Sequence, residues 1–137
     1  MKLKTGLACA ALMLLTACGT FKPKSDDQIV TDRGEQRLQA LKQGDYEKAY
    51  SFMSPTYRAT SSLDRFKATV GRGAAMMQDY KVGEAKCEVD TCTLQVSANY
   101  HFLDKGARVP TKPMTVPRTN LERWIKVDGD WWFVKID

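Results

Sequence analysis

Hydrophobic and polar residues follow two different periods along this chain. Up to about residue 73 the apolar side chains recur three or four positions apart, which is the spacing of a buried helix face. From about residue 77 they alternate with polar side chains, as in a strand with one buried side. Helices followed by strands predict a domain of the α+β class.

The helical part of the chain predicts three helices. The first spans about 31–43 and ends at Gly44, and the second has Asp45 as its N-cap and ends at Ser54-Pro55. The third begins near Ser61, in a sequence that resembles a capping box. The second helix has one apolar face at i, i+3, i+4 and i+7 spacing, formed by Tyr46, Ala49, Tyr50 and Met53.

A long hairpin is predicted after the helices. Gly71 and Gly73 are expected to end the third helix, and a strand follows over about 77–86. The segment 92–102 alternates without a fault between apolar and polar residues, which predicts a second strand. A β-bulge at Gly83 would put one set of first-strand residues on the core side together, namely Tyr80, Val82, Ala85 and Cys87.

A second hairpin closes the sequence. Its strands, about 118–127 and 131–136, are joined by Asp128-Gly129, a dipeptide that favours a two-residue turn. Such a turn places Ile125 opposite Trp132 and Trp124 opposite Phe133. We expect the core face to carry Leu121, Arg123, Ile125, Trp132, Val134 and Ile136, and the other face to carry Glu122, Trp124, Lys126, Trp131, Phe133 and Lys135.

The first 17 residues have the plan of a secretory signal peptide. Lys2 and Lys4 supply positive charge, and residues 7–17 form an apolar run that is too short to span a bilayer. The run ends in Leu15-Thr16-Ala17-Cys18, which resembles the lipobox of bacterial lipoproteins. The resemblance implies cleavage before Cys18 and a lipid on its sulfur. The alternative is a signal peptide cleaved elsewhere, with Cys18 incidental.

This resemblance divides the chain into a lipoprotein signal peptide (1–17), a lipidated flexible tether (18–28) and one domain (29–137). The expected first partner is the membrane, reached through the lipid on Cys18. Gly19 occupies the position where an aspartate retains many Gram-negative lipoproteins in the inner membrane. We therefore expect the outer membrane, on its periplasmic side; a Gram-positive source would place the protein on the outer face of its only membrane.

The charge balance does not indicate a nucleic-acid partner. The chain has 21 basic and 16 acidic residues, and the signal peptide holds two of the basic ones, which leaves 19 against 16. This small excess is compatible with anionic lipid or cell-wall polymer, but it is not the basic footprint of a nucleic-acid-binding protein.

The remaining cysteines, Cys87 and Cys92, are predicted to pair. An even number of cysteines in an exported chain favours a disulfide, and a turn at Val89-Asp90 would place the two opposite each other. We expect a structural disulfide that fixes the hairpin, with a redox-active pair as the alternative. No histidine lies near enough in the sequence to suggest zinc.

Two segments resemble the NTF2-like superfamily. They are Gly-Asp-Tyr-Glu-Lys-Ala-Tyr at 44–50 and Trp-Ile-Lys-Val-Asp-Gly-Asp-Trp-Trp at 124–132, and the resemblance covers about 29–137. It implies an NTF2-like cone, in which three N-terminal helices pack on a curved antiparallel sheet of about four strands around an apolar pocket. The superfamily includes steroid isomerases and scytalone dehydratase, which place Asp, Tyr or His inside the cone. Dimerisation through the sheet is frequent in it.

No arrangement of catalytic residues is evident in the sequence. The single histidine, His101, alternates with the polar residues of its strand, and one histidine cannot build a paired metal site or a Ser-His-Asp triad. Asp45 and Asp64 are explained as helix-start residues. We therefore expect no enzyme, no metal and no cofactor, and a carboxylate dyad is the open alternative.

Two groups of residues are candidates for binding. A buried Arg123 would need an anion, so we expect Arg123, Tyr46, Tyr50 and Trp132 to line a pocket for an amphipathic acid; the alternative is a snorkelling arginine paired with an acidic residue. The aromatic residues Trp124, Trp131 and Phe133 are a candidate interface for a homodimer or an envelope protein partner. Their alternative is burial under another part of the chain.

These observations favour a non-catalytic envelope lipoprotein that acts in protein–protein interaction or self-assembly. The alternative is a carrier or sensor of a small apolar or amphipathic ligand, and an enzyme comes third. A cone filled by side chains favours the first function, and an open pocket with an arginine at its wall favours the second. Converging ionisable groups in the pocket favour the enzyme.

Overall fold

The helices of this chain precede its strands, as the two hydrophobic periods predict. A computed structural model describes residues 22–102 and 113–135. It contains α1 (Asp26–Gln43), α2 (Tyr46–Ser51), α3 (Pro55–Thr60) and α4 (Leu63–Met76), followed by β1 (Met77–Glu88), β2 (Thr91–Phe102), β3 (Met114–Val127) and β4 (Asp130–Val134). The strands form one antiparallel sheet in the order β1-β2-β3-β4, so the predicted α+β class is confirmed.

The first helix begins five residues earlier than its apolar pattern predicted. Ser25 caps it with a reciprocal capping box, in which its hydroxyl accepts from the Gln28 amide and the Gln28 side chain accepts from the Ser25 amide. Residues 26–28, which we assigned to the tether, are therefore helical. Gly44 ends α1 as predicted, in the left-handed conformation with φ of 74°.

The middle helices differ from the prediction at three places. Asp45 caps α2 as predicted, but α2 stops at Ser51 and the pattern missed the short α3, which Ser54 caps and Pro55 begins. The N-cap of α4 is Ser62 rather than Ser61. Gly71 and Gly73 lie inside α4 and do not end it, because the helix continues to Met76. A glycine inside a helix costs only about 1 kcal/mol, which packing against other elements can offset.

The first hairpin has the predicted turn and bulge. Val89-Asp90 connects β1 to β2, and Cys87 lies opposite Cys92 in the ladder. The register shifts between Val82 and Ala85, which confirms the bulge at Gly83. As predicted, the four residues Tyr80, Val82, Ala85 and Cys87 all pack against the core.

The second hairpin has the predicted register but the opposite faces. Ile125 pairs with Trp132 and Trp124 with Phe133, as the Asp128-Gly129 turn requires. However, the core takes the face that carries Trp124, whereas Leu121 of the other face is 67% exposed. The β2–β3 register causes this, because Trp124 lies opposite the buried Cys92 and directly opposed residues share one face of the sheet.

Both edges of the sheet are covered by other parts of the chain. Along β1, the amides of Ala85 and Cys87 donate to side chains of α1, namely Thr31 Oγ1 at 2.9 Å and Asp27 Oδ1 at 2.8 Å. Along β4, Phe133 exchanges backbone hydrogen bonds with the segment 52–54. These contacts occupy edge groups that would otherwise be free to pair with another strand.

The core lies between the helices and the covered face of the sheet. Its largest fully buried side chains are Trp124, Trp131, Phe66, Met53, Leu94 and Val30. The helix α1 approaches the sheet closely at Gly34, where an added Cβ would overlap Leu94 Cδ2.

Candidate functional site

The four residues predicted to line a pocket do not come together, and that prediction is corrected. Arg123 is exposed on the outer face of β3, opposite Thr93 of β2. Tyr50 packs against Phe66 with ring centroids 5.5 Å apart, and its hydroxyl donates to the Ser61 carbonyl at 2.6 Å. Among the described residues, the apolar pocket between α1, α4 and the sheet is lined by none of Tyr46, Tyr50, Arg123 or Trp132.

Trp132 lies instead beneath two arginines. The guanidinium carbon of Arg58 is 4.8 Å from the centroid of the Trp132 ring, and that of Arg33 is 5.4 Å away. Arg33 also lies 5.2 Å from the centroid of Phe52. These are cation–π distances, so the arginines cover this half-buried tryptophan.

The three aromatic residues that we proposed as an interface pack in or against the core. Burial within the chain was the alternative that the sequence analysis left open. Trp124 is 0% exposed and Trp131 is 1% exposed. Phe133 is half-buried and packs against Trp124, with ring centroids 5.8 Å apart. Trp124 and Trp131 are therefore covered by the domain itself, and the exposed part of Phe133 lines a pocket.

The apolar pocket lies between α1, α4 and the face of the sheet that packs against the helices. Its volume is about 310 Å³, at the lower end of the range for small-molecule sites. The wall is mostly apolar, and its apolar residues include Leu38, Leu41, Met53, Phe66, Val70, Ala74, Met77, Val96 and Phe133. Gly73, on the α4 side, adds no side chain to this space.

One ion pair lies in the apolar wall of this pocket. Arg37 of α1 donates through Nη2 to Glu122 Oε1 of β3, and only 6% and 10% of the two side chains are exposed. The Arg37 guanidinium also stacks on Phe133, with its central carbon 4.0 Å from the ring centroid. The pocket thus combines a mostly apolar wall with this ion pair and four further polar residues, Thr69, Tyr100, Asn120 and Lys135.

Burial determines how the two groups of this pair titrate. It raises the pKa of Glu122, against the opposing effects of the Arg37 charge and the Trp124 indole. It lowers the pKa of Arg37, against the opposing effects of Glu122 and Tyr100. Each group is therefore held charged mainly by the other, since removing a charge from water is costly unless a partner compensates.

Arg37 was missed by the sequence analysis although the sequence carries a signal for it. Val30, Gly34, Arg37, Leu38 and Leu41 are all buried on α1 and recur at helical spacing. A charged residue inside such a stripe requires a buried partner. The sequence analysis required an anion beside a buried Arg123. The buried arginine is instead Arg37, and the carboxylate of Glu122 is its anion.

A second polar contact joins the start of α1 to the same face of the sheet. Asp26 accepts hydrogen bonds from Lys126 Nζ at 3.2 Å and from Trp131 Nε1 at 2.9 Å. The Trp131 hydrogen bond, followed by that of Lys126, lowers the pKa of Asp26. The helix α1 therefore supplies the opposite charge for two charged residues on the core face of the last hairpin.

The remaining sequence candidates have the following places. Cys87 and Cys92 form a disulfide. His101 of β2 is half-buried and is not on the pocket wall. Cys18 and residues 103–112, between β2 and β3, lie outside the described residues. Within 22–102 and 113–135 no three metal-ligating side chains cluster, and no helix there is long and apolar enough to cross a membrane.

Comparison with known proteins places the fold but gives no sequence relative. No protein-family model and no curated protein matches the chain. Solved structures do match. A Campylobacter jejuni protein proposed to be an NTF2-like transpeptidase is 16% identical over 82% of this chain and 100% of its own, with a TM-score of 0.54.

Two further structures have similar folds. A Streptomyces avermitilis protein, proposed to be a dehydratase of the NTF2-like family, is 12% identical over 81% of this chain and 93% of its own, with a TM-score of 0.54. The CamKII hub homology domain of Chlamydamonas reinhardtii is 21% identical over 80% and 94%, with a TM-score of 0.50. At these identities the likeness shows the fold alone, and the expected NTF2-like cone is confirmed.

Proposed function

We propose that this NTF2-like domain is a non-catalytic binding module of the bacterial cell envelope that holds a small apolar or amphipathic molecule. The observation that carries the proposal is the open pocket of about 310 Å³ with the Arg37–Glu122 pair in its wall. Small-molecule sites are mostly apolar and contain a few polar groups that orient the ligand, which is the composition of this wall.

The proposal is non-catalytic because the two largely buried charged groups of the pocket wall, Arg37 and Glu122, are bonded to each other. General acid–base catalysis needs a group that can exchange a proton with the substrate near the working pH. Arg37 stabilises the charged form of Glu122, and Glu122 stabilises the charged form of Arg37. The pair is suited to hydrogen bonding with a ligand rather than to proton transfer.

The proposal includes a lipid anchor on Cys18 and a place in the outer membrane, facing the periplasm. Its support is the sequence Leu15-Thr16-Ala17-Cys18 at the end of a short apolar run. Labelled palmitate should enter the wild-type protein and fail to enter Cys18→Ser. Equal labelling of both proteins would contradict the anchor and leave the pocket proposal intact.

The pocket proposal is tested by narrowing the pocket from the helix side. Gly73 lines the pocket, and a Cβ at this position would meet no atom within 4 Å. A leucine side chain at residue 73 should therefore occupy the cavity without a clash. We expect mass spectrometry to find small molecules released from the purified wild-type chain and to find them depleted several-fold in Gly73→Leu.

The matched control is Ala68→Leu, which adds a leucine to the exposed side of the same helix. It should retain the molecules that the wild type retains, with a similar melting temperature. Equal retention by Gly73→Leu, or no released molecule from any of the three proteins, would contradict the proposal.

Self-association is the second candidate function, and one exposed residue favours it. Leu121 is 67% exposed on the outer face of β3, opposite Gln95 of β2. The CamKII hub homology domain has a similar fold. Sedimentation of the full chain in density-matched detergent should then show a dimer that Leu121→Lys converts to a monomer. A monomeric wild type would contradict self-association.

A further inference from the structure

The Arg37–Glu122 pair has hydrogen-bonding capacity that the described residues do not use. A guanidinium has five N–H donors and a carboxylate has two acceptor oxygens, yet one contact joins Arg37 Nη2 to Glu122 Oε1. Within the part of the chain that the structure describes, Arg37 Nε, Glu122 Oε2 and Trp124 Nε1 are buried without a hydrogen bond. Buried polar groups are nearly always satisfied, and the Trp124 indole is close enough to Glu122 to lower its pKa. The donors of Arg37 are therefore the larger unused part of this capacity.

A ligand that contacts both members of the pair must both donate and accept. Arg37 can only donate and the ionised Glu122 can only accept. The last torsion of a carboxylate side chain is broad, so either oxygen of Glu122 can be turned toward the pocket. A ligand group that carries a donor beside an acceptor, such as a carboxamide, would bond to both members of the pair at once.

The charges of the pair select against an ionised ligand. An anion that bonds to Arg37 would lie beside the carboxylate of Glu122, and a cation that bonds to Glu122 would lie beside Arg37. In a site of low dielectric constant, such like-charge contacts are costly. Lys135 is also at the wall, but it is exposed and has an interaction of its own, so solvent and salt screen its charge.

The remaining wall defines the body of the ligand. It is mostly apolar on the α1, α4 and sheet sides, with Thr69, Tyr100 and Asn120 as polar residues among them. A volume of about 310 Å³ corresponds to roughly ten water molecules at the density of the liquid. A body the size of one aromatic ring with a short polar head fits this space.

We infer that the pocket binds neutral amphiphiles whose head group donates and accepts hydrogen bonds, of the carboxamide class, and discriminates against the matching acids and amines. The inference rests on the proposed function, because it names the ligand chemistry of the same pocket. A neutral ligand replaces the amphipathic acid that we expected from the sequence, because Arg123 is exposed and does not line the pocket.

Three probes with one body and different heads test the inference. Phenylacetamide, phenylacetate and phenethylammonium are titrated at pH 7 into the full chain in lipid nanodiscs, with binding followed by ligand-observed NMR. Empty nanodiscs and the Gly73→Leu chain correct for binding outside the pocket. We expect the amide to bind about tenfold more tightly than either ion, since a like-charge contact costs at least that factor.

The outcomes separate the inference from the proposed function. Binding of all three probes with equal affinity, or tighter binding of phenylacetate, would overturn the neutral head group and leave the pocket function standing. Binding that Gly73→Leu does not reduce, or no binding of any probe, would overturn both.

A substitution in the pair provides an independent measurement. Glu122→Gln keeps the shape of the side chain and removes its charge, so Arg37 remains as a positive group in the pocket wall. The preference should then move toward phenylacetate by about tenfold or more relative to the amide. Arg123→Gln removes a charge from the neighbouring residue on the exposed outer face of β3, outside the pocket, and should leave the preference of the wild type unchanged. An unchanged preference in a folded Glu122→Gln protein would contradict the inference.

Discussion

Gly34 of α1 lies directly against Leu94 of β2. A Cβ at residue 34 would overlap Leu94 Cδ2 and stand 3.8 Å from Trp124 Cζ2. The helix can approach the sheet this closely only because residue 34 has no side chain, and this approach places Arg37, one turn further on, within reach of Glu122.

Gly34→Ala should therefore destabilise the domain although alanine favours helix formation. Overpacking a core costs about 1–3 kcal/mol, which exceeds the gain of about 1 kcal/mol in helix propensity. Urea unfolding measures the change. Gly73→Ala is the control, since it makes the same substitution in α4 where the added methyl meets no atom within 4 Å, and it should stabilise. A stabilised Gly34→Ala would show that α1 does not lie this close to Leu94.

Loss of the Cys87–Cys92 disulfide should lower stability without unfolding the domain. The bridge closes a loop with a sequence separation of five, so on the loop-entropy model its removal costs about 2 kcal/mol. Urea unfolding of Cys87→Ser/Cys92→Ser should show this loss. Dithiothreitol should destabilise the wild type by a similar amount and leave the double variant unaffected, and equal stability of oxidised and reduced wild type would contradict a structural role.

Local pattern predicted the elements of this fold better than it predicted their faces. The alternation in β2, the bulge at Gly83 and the Asp128-Gly129 turn each depend on a few adjacent residues, and the structure has all three. The extra helix α3 was missed because Ser54-Pro55 signals an end and a start equally well.

The core face of the last hairpin depends on residues far away in the sequence. It carries Glu122, Lys126 and Lys135, so composition alone favoured the other side, which has a single arginine. Asp26 and Arg37 of α1 compensate Lys126 and Glu122 across sequence separations of 100 and 85. The predicted pocket and interface both failed for this reason, since each was assigned from the exchanged faces.

Asp26 should contribute to the acid sensitivity of the domain. Its pKa is lowered in the folded chain, mainly by the hydrogen bond from Trp131 and then by Lys126. The unfolded chain therefore binds a proton more readily, and stability falls as pH decreases. This contribution is complete above the unfolded pKa of about 4 and disappears as pH falls through the lower folded value.

Comparison of Asp26→Asn with the wild type at several pH values tests this. The variant should be less stable at neutral pH, and the difference should shrink as pH falls from about 4 through the lower pKa of the folded chain, where the wild-type carboxylate becomes protonated as well. Asp64→Asn, which alters a carboxylate in the first turn of α4, is the control. A difference between Asp26→Asn and the wild type that does not change with pH would contradict the contribution.

Removing one member of the Arg37–Glu122 pair should cost more than removing both. Arg37→Met leaves Glu122 buried with an uncompensated charge, which costs about 3–5 kcal/mol at neutral pH. Arg37→Met/Glu122→Leu leaves no buried charge and should recover most of that loss, because apolar replacements of a buried pair are often neutral. Arg37→Met should also recover stability as pH falls, since protonation of Glu122 removes the uncompensated charge.

Urea unfolding of the wild type, both single variants and the double variant measures the coupling between Arg37 and Glu122. Additive losses would show that Arg37 and Glu122 do not depend on each other, and the pocket would then lack the neutral ion pair on which the proposed ligand selection depends.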